Sequence, residues 1–225
     1  MNIGIVTFYN DAIADYGSLT SRINQVYCKK HGYTWVVNNT PSYQDRHPAW
    51  ENLPTLLAHI DNYDYVVWID ADAFFYTDSH SVESILTLYP NDDFVCSRDL
   101  GNLPDGEINT GIFAVKNTEY AKEFLNKWAY DENLYNNNTM KYRWDQGVFN
   151  DMVRGNVMNI KNHMKLLDYG VLQHFYREDL DTYYPADKPM IYHMAGRRAS
   201  GKENERLLHS QEYLAQIESG NAENP

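Results

Sequence analysis

The stretch Val66-Val67-Trp68-Ile69-Asp70-Ala71-Asp72 decides the fold class. Its four leading apolar residues suit a strand buried on both faces, as in parallel sheets covered by helices. Two carboxylates follow at i and i+2, where such a strand has to leave the sheet. In open α/β sheets ligands gather beyond the carboxyl ends of the strands, and two hard oxygen donors there suit Mg²⁺ or Mn²⁺ carrying a diphosphate. A desolvated carboxylate pair without a cation is costly. The competing interpretation is that both acids cap the following turn, as Asp often does.

Outward from this strand the chain reads as alternating strands and helices. Upstream, residues 3–8 form a short apolar run that suits a buried strand, and no Gly-x-Gly-x-x-Gly follows it. Leu19, Ile23, Val26 and Tyr27 recur at helical spacing, Gly32 offers a stop, and residues 33–37 read as the next strand, completing a β-α-β unit. Residues 39–47 are polar loop, and a helix starts near Trp50 because Pro54 is tolerated only in a first turn. Downstream, 81–88 reads as a short helix, 93–96 as a short strand, 100–107 as loop and 108–115 as an alternating strand. Asn117 is placed to cap a helix over 119–130, whose Tyr120, Phe124 and Trp128 share one side. Residues 133–139 read as surface loop, 144–153 as helix, 190–194 as a strand near the end of the sheet, and 203–217 as the last helix.

Composition sets the outer bounds. The 225 residues are 43% hydrophobic, enough for one sizeable core, and no repeat or shift in composition marks a boundary. Residues 1–218 are therefore expected to form a single α/β domain, with 219–225 a disordered tail that has nothing to pack against. The 31 acidic and 19 basic residues leave a net charge of -12, which argues against a nucleic-acid or anionic-membrane surface. Cys28 and Cys96 are too few for a disulfide framework and suit burial as small hydrophobes. No run of about 18 apolar residues and no secretory leader is visible, so a soluble, cytoplasmic chain without a membrane anchor is expected. The 19 tyrosines and 5 tryptophans suit sugar faces as well as cores.

Three further segments carry chemistry. Asn109-Thr110-Gly111 interrupts a strand with a residue lacking a side chain, which either admits a ligand to the backbone or marks a bulge. Trp144-Asp145-Gln146 stands at a helix start, where Asp145 alone would serve as a cap. His193 closes a strand beside Gly196, Arg197, Arg198 and Lys202, the one concentrated basic run in an acidic chain. A diphosphate needs such cations. Two rival functions share parts of this pattern. A non-catalytic sugar-binding module would use the aromatic residues without needing the acids, His193 and Arg198 together. A phosphatase of the aspartyl-nucleophile type also ends a strand in Asp-x-Asp, but it carries its nucleophile close to the N-terminus and Thr or Val where this chain has Phe74.

In this order, Asp70-Ala71-Asp72, Asn109-Thr110-Gly111, Asp145-Gln146 and His193-x-x-Gly196 resemble the retaining glycosyltransferases of family 34. Tyr27-Cys28-Lys29-Lys30-His31-Gly32-Tyr33 and Trp50 add supporting matches, and the resemblance spans roughly residues 3–202. It implies a GT-A fold, a Rossmann-like mixed sheet flanked by helices. It also implies metal-dependent, retaining transfer of a hexose or pentose from a UDP-sugar to a glycan acceptor, with Mn²⁺ or Mg²⁺ as cofactor. By position, Asp70, Asp72 and His193 match the metal ligands, and Ala71 lies in the same diphosphate motif. Asn109, Thr110 and Gly111 match the wall of the donor sugar, and Gly196 and Arg198 the diphosphate contact. Asp145 and Gln146 match the acid–amide pair beside the reacting carbon. Thr7, Phe8 and Tyr9, where the first strand ends, are also expected on the nucleotide sugar. The chain departs from relatives at Asn52, where they often carry Lys, and at Trp144, where plant members carry Asp. No covalent nucleophile is assigned, and same-face attack by the acceptor fits these residues equally well.

Overall fold

The computed structural model describes residues 1–76, 80–99, 107–135, 144–175, 190–195 and 203–219. Its first half runs β1 (Ile3–Phe8), α1 (Ala14–His31), β2 (Thr34–Asn38), α2 (Asn52–His59), β3 (Tyr65–Ile69), β4 (Ala73–Phe75), α3 (Val82–Leu86) and β5 (Phe94–Arg98). Then follow β6 (Ile108–Lys116), α4 (Glu119–Tyr130), α5 (Glu132–Tyr135), α6 (Trp144–Arg154), β7 (Met164–Leu167), β8 (Gln173–Phe175), β9 (Ile191–His193) and α7 (Glu203–Glu218). Gly32 ends α1 at a φ of 73°, a left-handed conformation that costs glycine little. Among the described residues no helix is long and apolar enough to cross a membrane. Cys28 and Cys96 are buried and unpaired, and burial pushes the Cys28 thiol up to about 12.

The main sheet has the order β2-β1-β3-β6-β5-β7. Strand β1 runs parallel to β2 and β3, β5 parallel to β7, and β6 antiparallel to both its neighbours. Helices cover both faces. Val66 and Trp68 enter a core with Leu53, Phe124 and Phe149, while Val67 and Ile69 enter a second core with Tyr27 and Leu86. For this reason β6 does not show the alternation expected of it: residues 108–115 are all buried, because both of its faces meet a core.

Three local expectations are corrected. Thr118, not Asn117, caps α4, its hydroxyl accepting the Ala121 N–H, while Asn117 Nδ2 donates to the Tyr63 carbonyl and ties the helix entry to the start of β3. Residues 132–135, expected partly as loop, form a helical turn because the Asp131 carboxylate accepts the Asn133 N–H at 3.0 Å. The strand at 191–193 does not lie in the main sheet. It is the centre of a separate three-stranded sheet of order β4-β9-β8, and β4 and β8 are short strands absent from the sequence reading. The expected loop at 100–107, the remainder of the 133–139 loop and the 219–225 tail lie, apart from Glu107 and Ser219, outside the described residues.

The small sheet exists because the chain turns as it leaves β3. The Ala73 N–H donates to the Asp70 carbonyl, and β4 then pairs antiparallel with β9. Asn24 on α1 completes the other edge of β4 as a strand would. Its Nδ2 donates to the Ala73 carbonyl at 3.1 Å and its Oδ1 accepts the Phe75 N–H at 2.9 Å.

Candidate functional site

The site begins where β3 ends. Because β6 is antiparallel to β3, its opening residues lie at the carboxyl end of β3, and the Asp70 N–H donates to the Gly111 carbonyl at 2.8 Å. On its other side β6 slips: Cys96 pairs with Phe113 but Ser97 pairs with Asn109, so residues 110–112 bulge away from β5. Gly111 is thus a bulge residue and also a point of close approach. A Cβ built there would stand 2.2 Å from His193 Cε1 and 2.8 Å from Asp70 Oδ2, so no other residue fits without displacing them.

His193 arrives from far along the chain through the β4–β9 register, which sets it opposite Ala73, and the Met194 N–H donates to the Asp72 carbonyl. Its Nε2 then lies 3.5 Å from Asp70 Oδ2 and 3.3 Å from Asp72 Oδ1. The three ligand atoms fall within 4.8 Å of one another. Trp68 Nε1 donates to Asp70 Oδ1 at 2.8 Å, and Thr20 Oγ1 holds the Ala71 carbonyl at 2.7 Å. Two hard oxygens and one imidazole, crowded over a glycine, fit a divalent cation of the Mn²⁺ or Mg²⁺ type. The electrostatics agree. Desolvation raises the Asp70 carboxyl above its ordinary range, with Asp72 adding to the rise and His193 and Trp68 opposing it. Burial by itself pulls the His193 imidazolium down, but Asp70 and Asp72 outweigh it and push His193 up to about 9. Without an ion, a proton on His193 is the positive charge that the pair of acids holds.

A second group stands at the start of α6. Asp145 is 4% exposed, and its Oδ2 accepts Asn52 Nδ2 and Thr110 Oγ1, each at 2.8 Å. It is therefore not a simple helix cap, the competing interpretation of a lone Asp, because its carboxylate bridges α2 and β6. Burial, with the charge of Asp70, pushes Asp145 up to about 7 against the pull of its two donors. Gln146 accepts Asn109 Nδ2 and the Thr110 N–H, both at 3.3 Å, and donates to Asp99 Oδ2 at 2.8 Å. Asn150, one turn on, takes both the N–H and the carbonyl of Ile108 and clamps α6 to β6.

Seven of the expected residues, Asp70, Asp72, Asn109, Thr110, Gly111, Asp145 and Gln146, meet around the β3–β6 junction, and His193 joins them from the small sheet. Thr7, next to the last residue of β1, has a buried hydroxyl with no hydrogen-bond partner among the described residues. The Phe8 side chain packs in the core, and the Tyr9 ring lies over Gly17 of α1. Gly196 and Arg198, with Arg197 and Lys202, lie outside the described residues. Sequence reasoning did not find Thr20, Asn24, Asp99 or Gln173, which brace the site. Only Gln173, next to Val171 and Leu172, stood out as a polar residue beside apolar ones; the others lie in mixed polar sequence and carry no signal.

Comparison with known proteins bears on this geometry. The model of the nucleotide-diphospho-sugar transferase family matches residues 24–207. Galactomannan galactosyltransferase 1 of Cyamopsis tetragonoloba is 28% identical over 129 residues, which are 53% of this chain and 29% of that protein. Xyloglucan 6-xylosyltransferase 4 of Arabidopsis thaliana is 30% identical over 129 residues, 52% of this chain and 24% of the relative. The match thus spans less than a third of either relative's length. Among solved structures, a glycosyltransferase involved in the glycosylation of the major capsid of PBCV-1 superposes with a TM-score of 0.70 at 19% identity, covering 94% of this chain and all of the other. The galactosyltransferase LgtC gives 0.57 at 14% identity, covering 92% and 94%. These structural likenesses show the GT-A type of fold. With most of its length matched by the family model, the chain belongs to the nucleotide-diphospho-sugar transferase family.

Proposed function

We propose that the chain, read as one GT-A domain over residues 1–218, transfers a hexose or pentose from a UDP-sugar to a glycan acceptor with retention of configuration. Asp70, Asp72 and His193 would hold Mn²⁺, with Mg²⁺ as the alternative ion. The observation that carries this reading is the three-ligand cluster over Gly111, in a chain of the nucleotide-diphospho-sugar transferase family. When bound, the cation supplies positive charge to the leaving diphosphate. Arg198 and Gly196, by their place in the sequence, would add to that contact.

The remaining work falls to the protein's own groups. Asp145 is fixed by Asn52 and Thr110 before any substrate arrives, so its charge needs no reorganisation when positive charge develops on the sugar. Gln146, with its amide oriented by Asn109, Thr110 and Asp99, would face the reacting carbon beside it. Asn109, Thr110 and Gly111 would form the wall of the donor sugar, and Ala71, Thr7, Phe8 and Tyr9 the approach to the nucleotide. Calorimetry of UDP with Mn²⁺ and then with chelator tests the reading. Binding is expected only with the ion, since Asp70 and Asp72 otherwise repel the diphosphate. Equal affinity in both conditions overturns the metal assignment, and a panel of nucleotide sugars screened for Mn²⁺-dependent hydrolysis identifies the donor.

A further inference from the structure

We propose that Gln173 is the positioning residue that prepares His193 to bind the cation, an inference that rests on the metal reading above. Gln173 is 0% exposed and His193 2%, and Gln173 Oε1 lies 3.0 Å from His193 Nδ1. The contact follows from backbone register. Strand β8 is parallel to β9 with Gln173 opposite Ile191, so the side chain of His193, two residues further on, stands on the same face as Gln173. A carbonyl oxygen only accepts, so Nδ1 carries the ring proton of the neutral imidazole. The bare nitrogen is then Nε2, the atom turned to Asp70 and Asp72. Were the amide reversed, its NH₂ would donate to Nδ1, move the proton to Nε2 and close the ligand.

Two details argue that Gln173 is kept for this oxygen. Its own Nε2 is buried without a hydrogen-bond partner among the described residues, a cost that a purely structural glutamine has no reason to carry. An amide also orients the ring without adding charge. Asp70 and Asp72 already offset the two charges of a dication, and a third carboxylate here would repel the incoming diphosphate. Outer partners of metal-bound histidines typically change metal affinity by about 10–100-fold when removed.

The test is titration of Mn²⁺ alone, without nucleotide, by the electron paramagnetic resonance signal of the free ion. Wild type, Gln173→Leu and Gln173→Glu are compared, with circular dichroism to verify folding. Gln173→Leu is expected to bind Mn²⁺ about 10–100-fold more weakly. Gln173→Glu, which keeps an acceptor oxygen, is expected to recover Mn²⁺ binding but to bind UDP more weakly than wild type at saturating Mn²⁺. A folded Gln173→Leu with wild-type Mn²⁺ affinity overturns the role of Gln173 alone. Wild-type protein that leaves Mn²⁺ free overturns the metal reading and Gln173 with it. Should Gln173→Leu not fold, ¹⁵N-histidine NMR of Mg²⁺-loaded wild type decides. A proton on Nδ1 of His193 supports the proposal, and a proton on Nε2 overturns it.

Discussion

The acids around the β3–β6 junction fall into two groups of opposite design. Asp70 and Asp72 point at each other's charge and at His193, whereas Asp145 receives two neutral donors at 2.8 Å. The first group has excess negative charge that a proton on His193 offsets only in part. The second is held by neutral hydrogen-bond donors, and it responds to burial by holding a proton up to about pH 7. On the function proposed above, the same side chain thus serves as a cation ligand in one place and as a fixed, weakly acidic group in the other. What differs is the charge of the partners, not the residue type or the depth alone.

The largest effect that would test this contrast is expected from Gly111→Ala. Its methyl group would need the space of His193 Cε1, so Mn²⁺ binding should be lost altogether, and a titration showing the ion still bound would break the account of the first group. Next come Asp70→Asn and Asp72→Asn, each expected to lower Mn²⁺-dependent transfer by about 100-fold or more. The same change at Asp145 should leave UDP affinity with Mn²⁺ within about twofold of wild type while lowering kcat strongly, because positive charge on the sugar appears chiefly in the transition state. If UDP affinity fell equally in all three variants, the two groups would be one.

Proton linkage sharpens the contrast further. In the ion-free protein His193 holds a proton up to about 9, above its unfolded value near 6.5, so its stabilising contribution is full below about 6.5 and lost as pH rises through 9. A cation has to displace that proton, so Mn²⁺ affinity should rise about tenfold per pH unit towards 9 and level off above it. Asp145 acts on folding in the same direction but over a lower window. Between about 4 and 7 the folded chain keeps a proton that the unfolded chain releases, so stability falls as pH rises across that window. Asp145→Asn should remove this dependence and raise Tm at pH 8, by about 2–4 °C for each kcal/mol recovered. The smallest effect is expected from Thr118→Ala, which removes the α4 cap at a cost of about 1 kcal/mol and should leave Mn²⁺ and UDP affinity unchanged.

The sequence made the main frame readable where a pattern had a single physical meaning. Residues 65–69 could be placed because a five-residue apolar run ending in two acids has few other uses, and Gly32 marked the end of α1 because few residues tolerate its φ. Asp70, Gly111, Asp145 and His193 were legible as candidates through ordered motifs, but their assembly was not. Strands β4 and β8 have only three residues each, too short for a period of two to show, so the small sheet that brings His193 to Asp72 was hidden. Burial of β6 on both faces also removed its expected alternation. Gln173 and Asn24 carry no motif, since an amide inside a strand or a helix becomes meaningful only once its neighbour is known.

The pairing of β4 with β9 also imposes an order of events on a newly made chain. All six strands of the large sheet lie before residue 168, whereas the imidazole arrives only with residues 191–193. Closing so long a loop is entropically unfavourable until the sheet that receives it exists, so β9 should dock late. Hydrogen exchange during refolding is accordingly expected to protect the amides of β3 and β6 before those of β9. A nascent polypeptide ending between residues 145 and 193 would own both carboxylates and Asp145, yet lack the third of the proposed ligands. If the proposed function holds, donor cleavage is withheld from incomplete molecules by topology alone.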